Sequence, residues 1–222
     1  MRFEIKKAAE LLYPRRCALC DRLLRGNEKG VCRACGKTVR PLPSGTGFMP
    51  NGFAAFPYTG AVRMSVHRLK YGGRAEYADF FAAALLAAGG SLLRAWNIQA
   101  LVPVPVHASR LRRRGYNQAE RIARALEKRT GIPVLENCVE RVRSTRPQSG
   151  LTPEERRRNV KNAFRSCGKE PLPASVLIVD DIYTTGSTVG SLTKTLKKAG
   201  AAEVYFCAAC LADGHSGAFI SG

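Results

Sequence analysis

Acidic residues are scarce in this 222-residue sequence: 17 Asp and Glu stand against 36 Lys and Arg, a formal net charge of +19. That imbalance excludes a surface that repels polyanions and predicts non-specific attraction for nucleic acid, anionic lipid or polyphosphate. Long apolar runs are missing as well. The longest, Phe80 to Leu93, covers 14 residues and contains Gly89, Gly90 and Ser91, so no membrane span is expected. Met1 to Tyr13 mixes charge with apolar residues in the manner of an amphipathic helix, not of a secretory signal. A cytoplasmic location is the expectation, and there eight cysteines serve as ligands or core residues rather than as disulfides. No Gly-x-x-x-x-Gly-Lys-Ser/Thr string occurs, which excludes a Walker loop. Aromatics that could stack bases, such as Tyr71 and Tyr116, are few, and packing explains them as well. No internal repeat or low-complexity tract is present beyond a pair of cysteine knuckles.

The most informative stretch that is present runs Val176-Leu-Ile-Val-Asp-Asp-Ile-Tyr-Thr-Thr-Gly-Ser-Thr188. Val176 to Val179 is short, β-branched and without polar alternation, the pattern of a parallel strand covered on both faces. Asp180 and Asp181 then fall at its carboxyl end, the edge where ligands bind in open α/β sheets. The turn Thr184, Thr185, Gly186, Ser187, Thr188 follows, and Val189 to Lys198 reads as a helix closed by Gly200. That helix start offers N–H groups, hydroxyls and the positive end of a dipole, and Gly186 admits close backbone approach, so a phosphate is expected there. Carboxylates beside a phosphate repel it unless they have other work. A ribose cis-diol donating to both acids resolves the conflict, with a divalent cation offsetting the remaining charge. The plainer alternative is that the acids cap a helix, but they precede the turn.

Cys17-Ala-Leu-Cys20 and Cys32-Arg-Ala-Cys35 are two Cys-x-x-Cys knuckles separated by eleven residues, the spacing of one tetrahedral four-cysteine zinc site. With all four positions filled, the zinc is structural, replacing a core too small to fold alone. Arg15, Arg16, Arg22, Arg25, Lys29 and Arg33 surround the thiolates and balance part of their charge. Contact of this module with nucleic acid stays open. Cys207 and Cys210 share the spacing, but Glu203 to Leu211 reads as a strand, on which residues three apart face opposite sides. Cys138 and Cys167 read as isolated small apolar residues.

The loop Pro41 to Gly52 is the best domain boundary, dividing a zinc-binding module with an N-terminal helix, residues 1–45, from a main domain, residues 52–222. In the latter, Phe53 to Tyr58 reads as a strand, Ala61 to Tyr71 as a helix ending at Gly72-Gly73, and Ala75 to Trp96 as a helix broken at Gly89-Gly90. Ala100 to Val106 reads as a strand restricted by Pro103 and Pro105. The loop His107 to Tyr116 carries four arginines, Arg110, Arg112, Arg113 and Arg114, before a helix capped by Asn117 with Glu120. Arginine forks suit an anion; a solvated basic loop is the alternative. Residues 110 to 165 hold sixteen basic and six acidic side chains. Val134 to Arg143 supplies one or two short strands. Ser144 to Leu151 reads as a mobile polar loop ahead of a helix start at Thr152-Pro-Glu-Glu155, a lid that excludes water or else a linker. Asp213 to Gly222 reads as a flexible tail.

The string Val176 to Thr188 resembles the phosphoribosyl-pyrophosphate (PRPP) signature of type I phosphoribosyltransferases. The whole chain resembles the ComF family (competence protein F, GntX-like), on the four-cysteine module, Leu69-Lys70-Tyr71-Gly72, Pro103-Val-Pro, Arg114-Gly-Tyr-Asn-Gln118, Gln148 to Asn159 and Asp180-Asp181. The resemblance implies an α/β type I phosphoribosyltransferase fold, a mostly parallel sheet flanked by helices, behind the zinc module. It implies Mg²⁺-PRPP with its ribose diol on Asp180 and Asp181, its 5′-phosphate in Thr184 to Thr188, and its pyrophosphate near His107, Arg110 and Arg114, with Lys70 adding positive charge from a weaker position. It also implies a role with incoming single-stranded DNA and competence proteins. A DNA-handling or PRPP-sensing protein without transferase turnover is the competing reading.

Overall fold

The computed structural model describes residues 14–43, 51–143, 163–168 and 171–212. The expected amino-terminal helix, the loop and helix start of residues 144–162 and the tail lie outside the described residues.

Chain order among those residues is α1 (Arg33–Thr38), β1 (Gly52–Pro57), α2 (Gly60–Tyr71), a 3₁₀ turn (Ala75–Tyr77), α3 (Ala78–Ala95), β2 (Ala100–Pro103), α4 (Ala108–Arg114), α5 (Gln118–Thr130), β3 (Val139–Arg141), β4 (Phe164–Ser166), β5 (Ser175–Tyr183), α6 (Ser187–Lys198) and β6 (Glu203–Leu211). Four strands form one sheet in the order β1-β6-β5-β2, every neighbour parallel. The helical crossovers cover both faces, which is why the central strands are apolar without alternation. Alternate residues of β5 serve the two layers. Leu177 and Val179 join Leu85 of α3 and Ile122 and Leu126 of α5, whereas Val176 and Ile178 join Leu192 and Leu196 of α6 with Phe164 of β4. β3 and β4 make a separate antiparallel ribbon.

Four expectations change. The helix α3 runs unbroken through Gly89-Gly90; a Cβ on Gly89 would lie 2.2 Å from the Phe53 ring, so that glycine admits a ring instead of breaking the helix. With the preceding turn, Ala75–Ala95 is long and apolar enough to cross a membrane, the one such helix among the described residues. Its Phe81, Ala82 and Leu85 are core residues packed toward the sheet, a sufficient reason for its composition. His107 to Tyr116 is not a loop but contains α4, because His107 caps it and Gly115 ends it at φ 79°. The strand read as ending at Val179 continues to Tyr183, so Asp180 and Asp181 lie within it. Cys167 is exposed rather than packed.

The cysteine module shares the main core: Cys17, Leu19 and Cys32 are buried in the same cluster as Leu69 and Phe81. Asp21, held at φ 64°, accepts from Tyr77 Oη and lies 3.2 Å from Arg74 Nε. Arg68 Nη1 of α2 donates to Leu19 O at 3.0 Å.

Candidate functional site

The site opens where two strands part. β2 stays in register with β5 as far as Pro103 opposite Val179, and Val104 N donates to Val179 O at 2.9 Å. Pro103 and Pro105 have no N–H to extend the ladder, so the chain departs. On its other side β5 remains paired with β6 as far as Tyr183 opposite Leu211. The edge at Asp180 and Asp181 is thereby released toward α4 while the strand under it stays rigid.

Both acids are buried, 8% and 5% exposed, and successive strand residues point to opposite faces. Asp181 turns to α2, where its Oδ2 lies 2.6 Å from Lys70 Nζ. Burial opposes its ionisation, but the ammonium prevails and holds its carboxyl below the ordinary range. Asp180 accepts from Asp181 N at 2.8 Å. Burial and the neighbouring carboxylate push Asp180 up to about 8. The pair is thus split into one anion and one acid near neutrality, a common way of preparing two carboxyls for different roles.

Around them gather the cations. On α4, residues 110 and 114 share a face, and both are partly buried while Arg112 and Arg113 are exposed. Arg114 donates through Nη1 to Gln118 Oε1 at 3.0 Å and through Nη2 to Tyr71 Oη at 2.9 Å, its guanidinium 4.6 Å from the Tyr71 ring centroid. Burial and the charge of Arg114 lower Arg110. Arg141 of β3 is a site residue that the sequence reading missed. Burial lowers it to about 10, Arg110 repels it and Asp180 attracts it. Nothing in its local sequence, Val139-Glu-Arg-Val-Arg143, sets it apart from the neighbouring charges. His107 stands at the start of α4, where its Nδ1 accepts from Ser109 N at 3.3 Å and caps the helix. Tyr116 is a packing residue, its Oη donating to Leu69 O at 2.5 Å.

The turn after β5 has the expected form. Gly186 takes φ 72°, and a Cβ there would sit 2.4 Å from Tyr183 Oη, so both backbone and space require glycine. Thr185 Oγ1 and Ser187 Oγ lie 2.7 Å apart, and Thr184 to Thr188 are all half-buried. No side chain caps α6.

The four cysteine Sγ atoms lie within 4.8 Å of one another, and Cys20 and Cys32 are 3.8 Å apart, near the edge of a tetrahedron built on Zn–S bonds of about 2.3 Å. Cys17 Sγ accepts from Cys32 N at 3.3 Å, and Cys32 Sγ from Cys35 N at 3.4 Å. The N–H of Cys35 is the main cause that brings the Cys32 thiol down to about 6. These residues fit a structural Zn²⁺. Cys207 and Cys210, both buried in β6, are not part of any such cluster among the described residues.

Comparison with known proteins agrees with both halves. The phosphoribosyl transferase domain matches residues 111–220 and the double zinc ribbon domain residues 8–46. DNA utilization protein YhgH of Salmonella typhi is 32% identical over 90% of this chain and 98% of its own length. Competence protein F of Haemophilus influenzae is 44% identical over 48% of this chain, a match that spans about half, 47%, of that relative. A purine phosphoribosyltransferase from Pyrococcus horikoshii superposes on 60% of this chain and 73% of its own at 18% identity with a TM-score of 0.34, too loosely to carry any detail. With a near full-length relative above, a phosphoribosyl transferase domain behind a zinc ribbon, and a parallel sheet between helices, the chain belongs to the ComF family of phosphoribosyltransferase-like proteins.

Proposed function

We propose that this protein binds PRPP in the crevice between β2 and β5 and transfers its ribosyl phosphate to a nucleophilic acceptor. The observation that carries this is the meeting of Asp180 and Asp181, buried at a released strand edge, with the hydroxyl-rich Thr184 to Thr188 turn and the partly buried Arg110 and Arg114. In this reading the turn holds the 5′-phosphate, the acids accept from the ribose hydroxyls, and the arginines receive pyrophosphate. The acceptor forms a bond to C1′ as the bond from C1′ to the pyrophosphate oxygen breaks, and pyrophosphate leaves with the electron pair. The protein contributes position and charge neutralisation, not a covalent intermediate. Mg²⁺ belongs to this reading only as a companion of the ligand. Two aspartates, one of them already paired with an ammonium, do not fit a protein-held divalent cation, for which several free oxygens are needed.

Calorimetric titration of PRPP into zinc-loaded protein tests the proposal, with the Asp180→Asn, Asp181→Asn double variant beside it. Saturable binding that weakens about tenfold or more in the variant is the expected result. A folded wild type that binds no PRPP defeats it.

A second reading is favoured by the net charge of +19 and by relatives named for competence and DNA utilization: cytoplasmic handling of single-stranded DNA, alone or with competence proteins, with the crevice sensing PRPP without turnover. Salt-steep strand binding together with no release of pyrophosphate from PRPP by any acceptor supports this one.

A further inference from the structure

We infer that Lys70, joined by Arg110, Arg114 and Arg141, takes the place of a divalent cation in this crevice, so that a ribosyl pyrophosphate binds here without magnesium. The inference rests on the PRPP reading and deepens it.

The geometry begins with Lys70. Its Nζ lies 2.6 Å from Asp181 Oδ2, with the two side chains 18% and 7% exposed. The contact is not a loose surface pair, because the residues on either side of Lys70 are fastened. Leu69 is fully buried and its carbonyl accepts from Tyr116 Oη at 2.5 Å. Tyr71 accepts from Arg114 Nη2 at 2.9 Å and carries that guanidinium 4.6 Å from its ring centroid. The ammonium is therefore delivered to the carboxylate by the fold.

A metal ion carried in on the ligand would meet that ammonium beside Asp181, and two such cations repel strongly at low effective dielectric. Nor does the site offer a third acid: among the described residues, the one cluster of three or more metal-donor side chains is the four cysteines. Positive charge is instead supplied by side chains. Arg110 and Arg114 sit partly buried on one side of α4, and the charges of Asp181 and Asp180 act on Arg110 and Arg141 respectively, so these cations face the acids. Arginine presents planar forks suited to phosphate oxygens, and so provides directed hydrogen bonds as well as charge. The acids retain what a diol requires, acceptor oxygens, while the excess of positive charge over them offsets the pyrophosphate.

The test is calorimetric titration of PRPP into zinc-loaded protein in buffer freed of magnesium by passage over a chelating resin, then in the same buffer with magnesium restored. A soluble chelator is avoided because it would unload the zinc module. Wild type is expected to bind with affinities within about threefold of one another in the two buffers. Lys70→Met is expected to bind about tenfold or more weakly without magnesium and to regain most of the loss with it. Lys70→Arg, which keeps the charge, is expected to remain insensitive to magnesium. Wild type that binds only with magnesium overturns the inference and leaves the PRPP reading intact; wild type that binds in neither buffer removes both. A Lys70→Met variant as insensitive to magnesium as wild type also overturns it. Because the wild-type comparison needs no variant, the inference can fail even where Lys70→Met does not fold.

Discussion

Helix α2 touches both anionic clusters of this protein. Arg68 reaches the carbonyl of Leu19 between the knuckle cysteines, and two residues later Lys70 reaches Asp181 in the crevice. At the knuckles four sulfurs converge within 4.8 Å; Arg22 reaches only Cys32, and a metal ion from outside supplies the charge that joins all four. In the crevice the countercharge is part of the chain. The first arrangement is suited to an ion taken from solution; the second neutralises Asp181 with a side chain of the fold. Clustered acids therefore do not by themselves signal a metal. What decides is whether a cation of the fold already occupies their free oxygens.

The largest effect should come from the knuckles. Structural zinc contributes about 10–16 kcal/mol to isolated zinc-finger peptides, and here the module also braces α2. Zinc removal, or Cys32→Ser, is expected to unfold residues 14–43 and to release Arg68, with the loosened α2 lowering PRPP affinity about tenfold. Hydrogen exchange on α2 together with calorimetry measures both. Intact protection of α2 in zinc-free protein would separate the two clusters and break the comparison.

A middle-sized effect concerns Asp180. Its folded carboxyl, raised to about 8, keeps a proton that the unfolded chain gives up near pH 4. The folded state thus binds more protons over that interval. Stability is fully present below about pH 4 and falls as pH rises toward 8. Asp180→Asn retains the oxygen that accepts from Asp181 N and cannot ionise. It should flatten the slope and stabilise the free protein by about 1–3 kcal/mol at pH 8 and above, while weakening PRPP binding. Thermal melts from pH 5 to 9 test it: an unchanged slope would mean that Asp180 is ionised in the fold. No comparable gain is available at the cysteines, whose replacement only removes ligands.

The two clusters also differed in how legible they were. The knuckle ligands fall within nineteen positions of sequence, Cys17 to Cys35, and spacing alone sets their geometry. Along β5 the same locality holds, so the acids and the Gly186 turn were readable too. Lys70 and Arg141 come from α2 and β3, and only the fold brings them to β5. Arg141 was missed and Lys70 underweighted for that reason. Local context also misled at Gly89-Gly90, where a breaker pair proved to include a seat for the Phe53 ring, and at His107, whose ring caps a helix that the arginine run concealed.

The smallest effect tests whether the crevice's cations differ in kind from the rest of the +19. Arg110 and Arg114 are half-buried along one side of α4, whereas Arg112 and Arg113 are exposed. A solvated arginine adds to the long-range field and to any phosphate backbone it meets, but its charge is screened within about 8 Å at physiological salt. Arg112→Ala with Arg113→Ala should therefore leave PRPP affinity within about twofold of wild type. If single-stranded DNA passes over this face, the same pair should lower the slope of log affinity against log salt by about 0.7 for each arginine lost. Arg110→Ala should do the reverse, weakening PRPP about tenfold with little change in that slope. Equal losses of PRPP affinity in the two variants would mean that the pocket is served by the general field, and that Arg110 and Arg114 have no directed role.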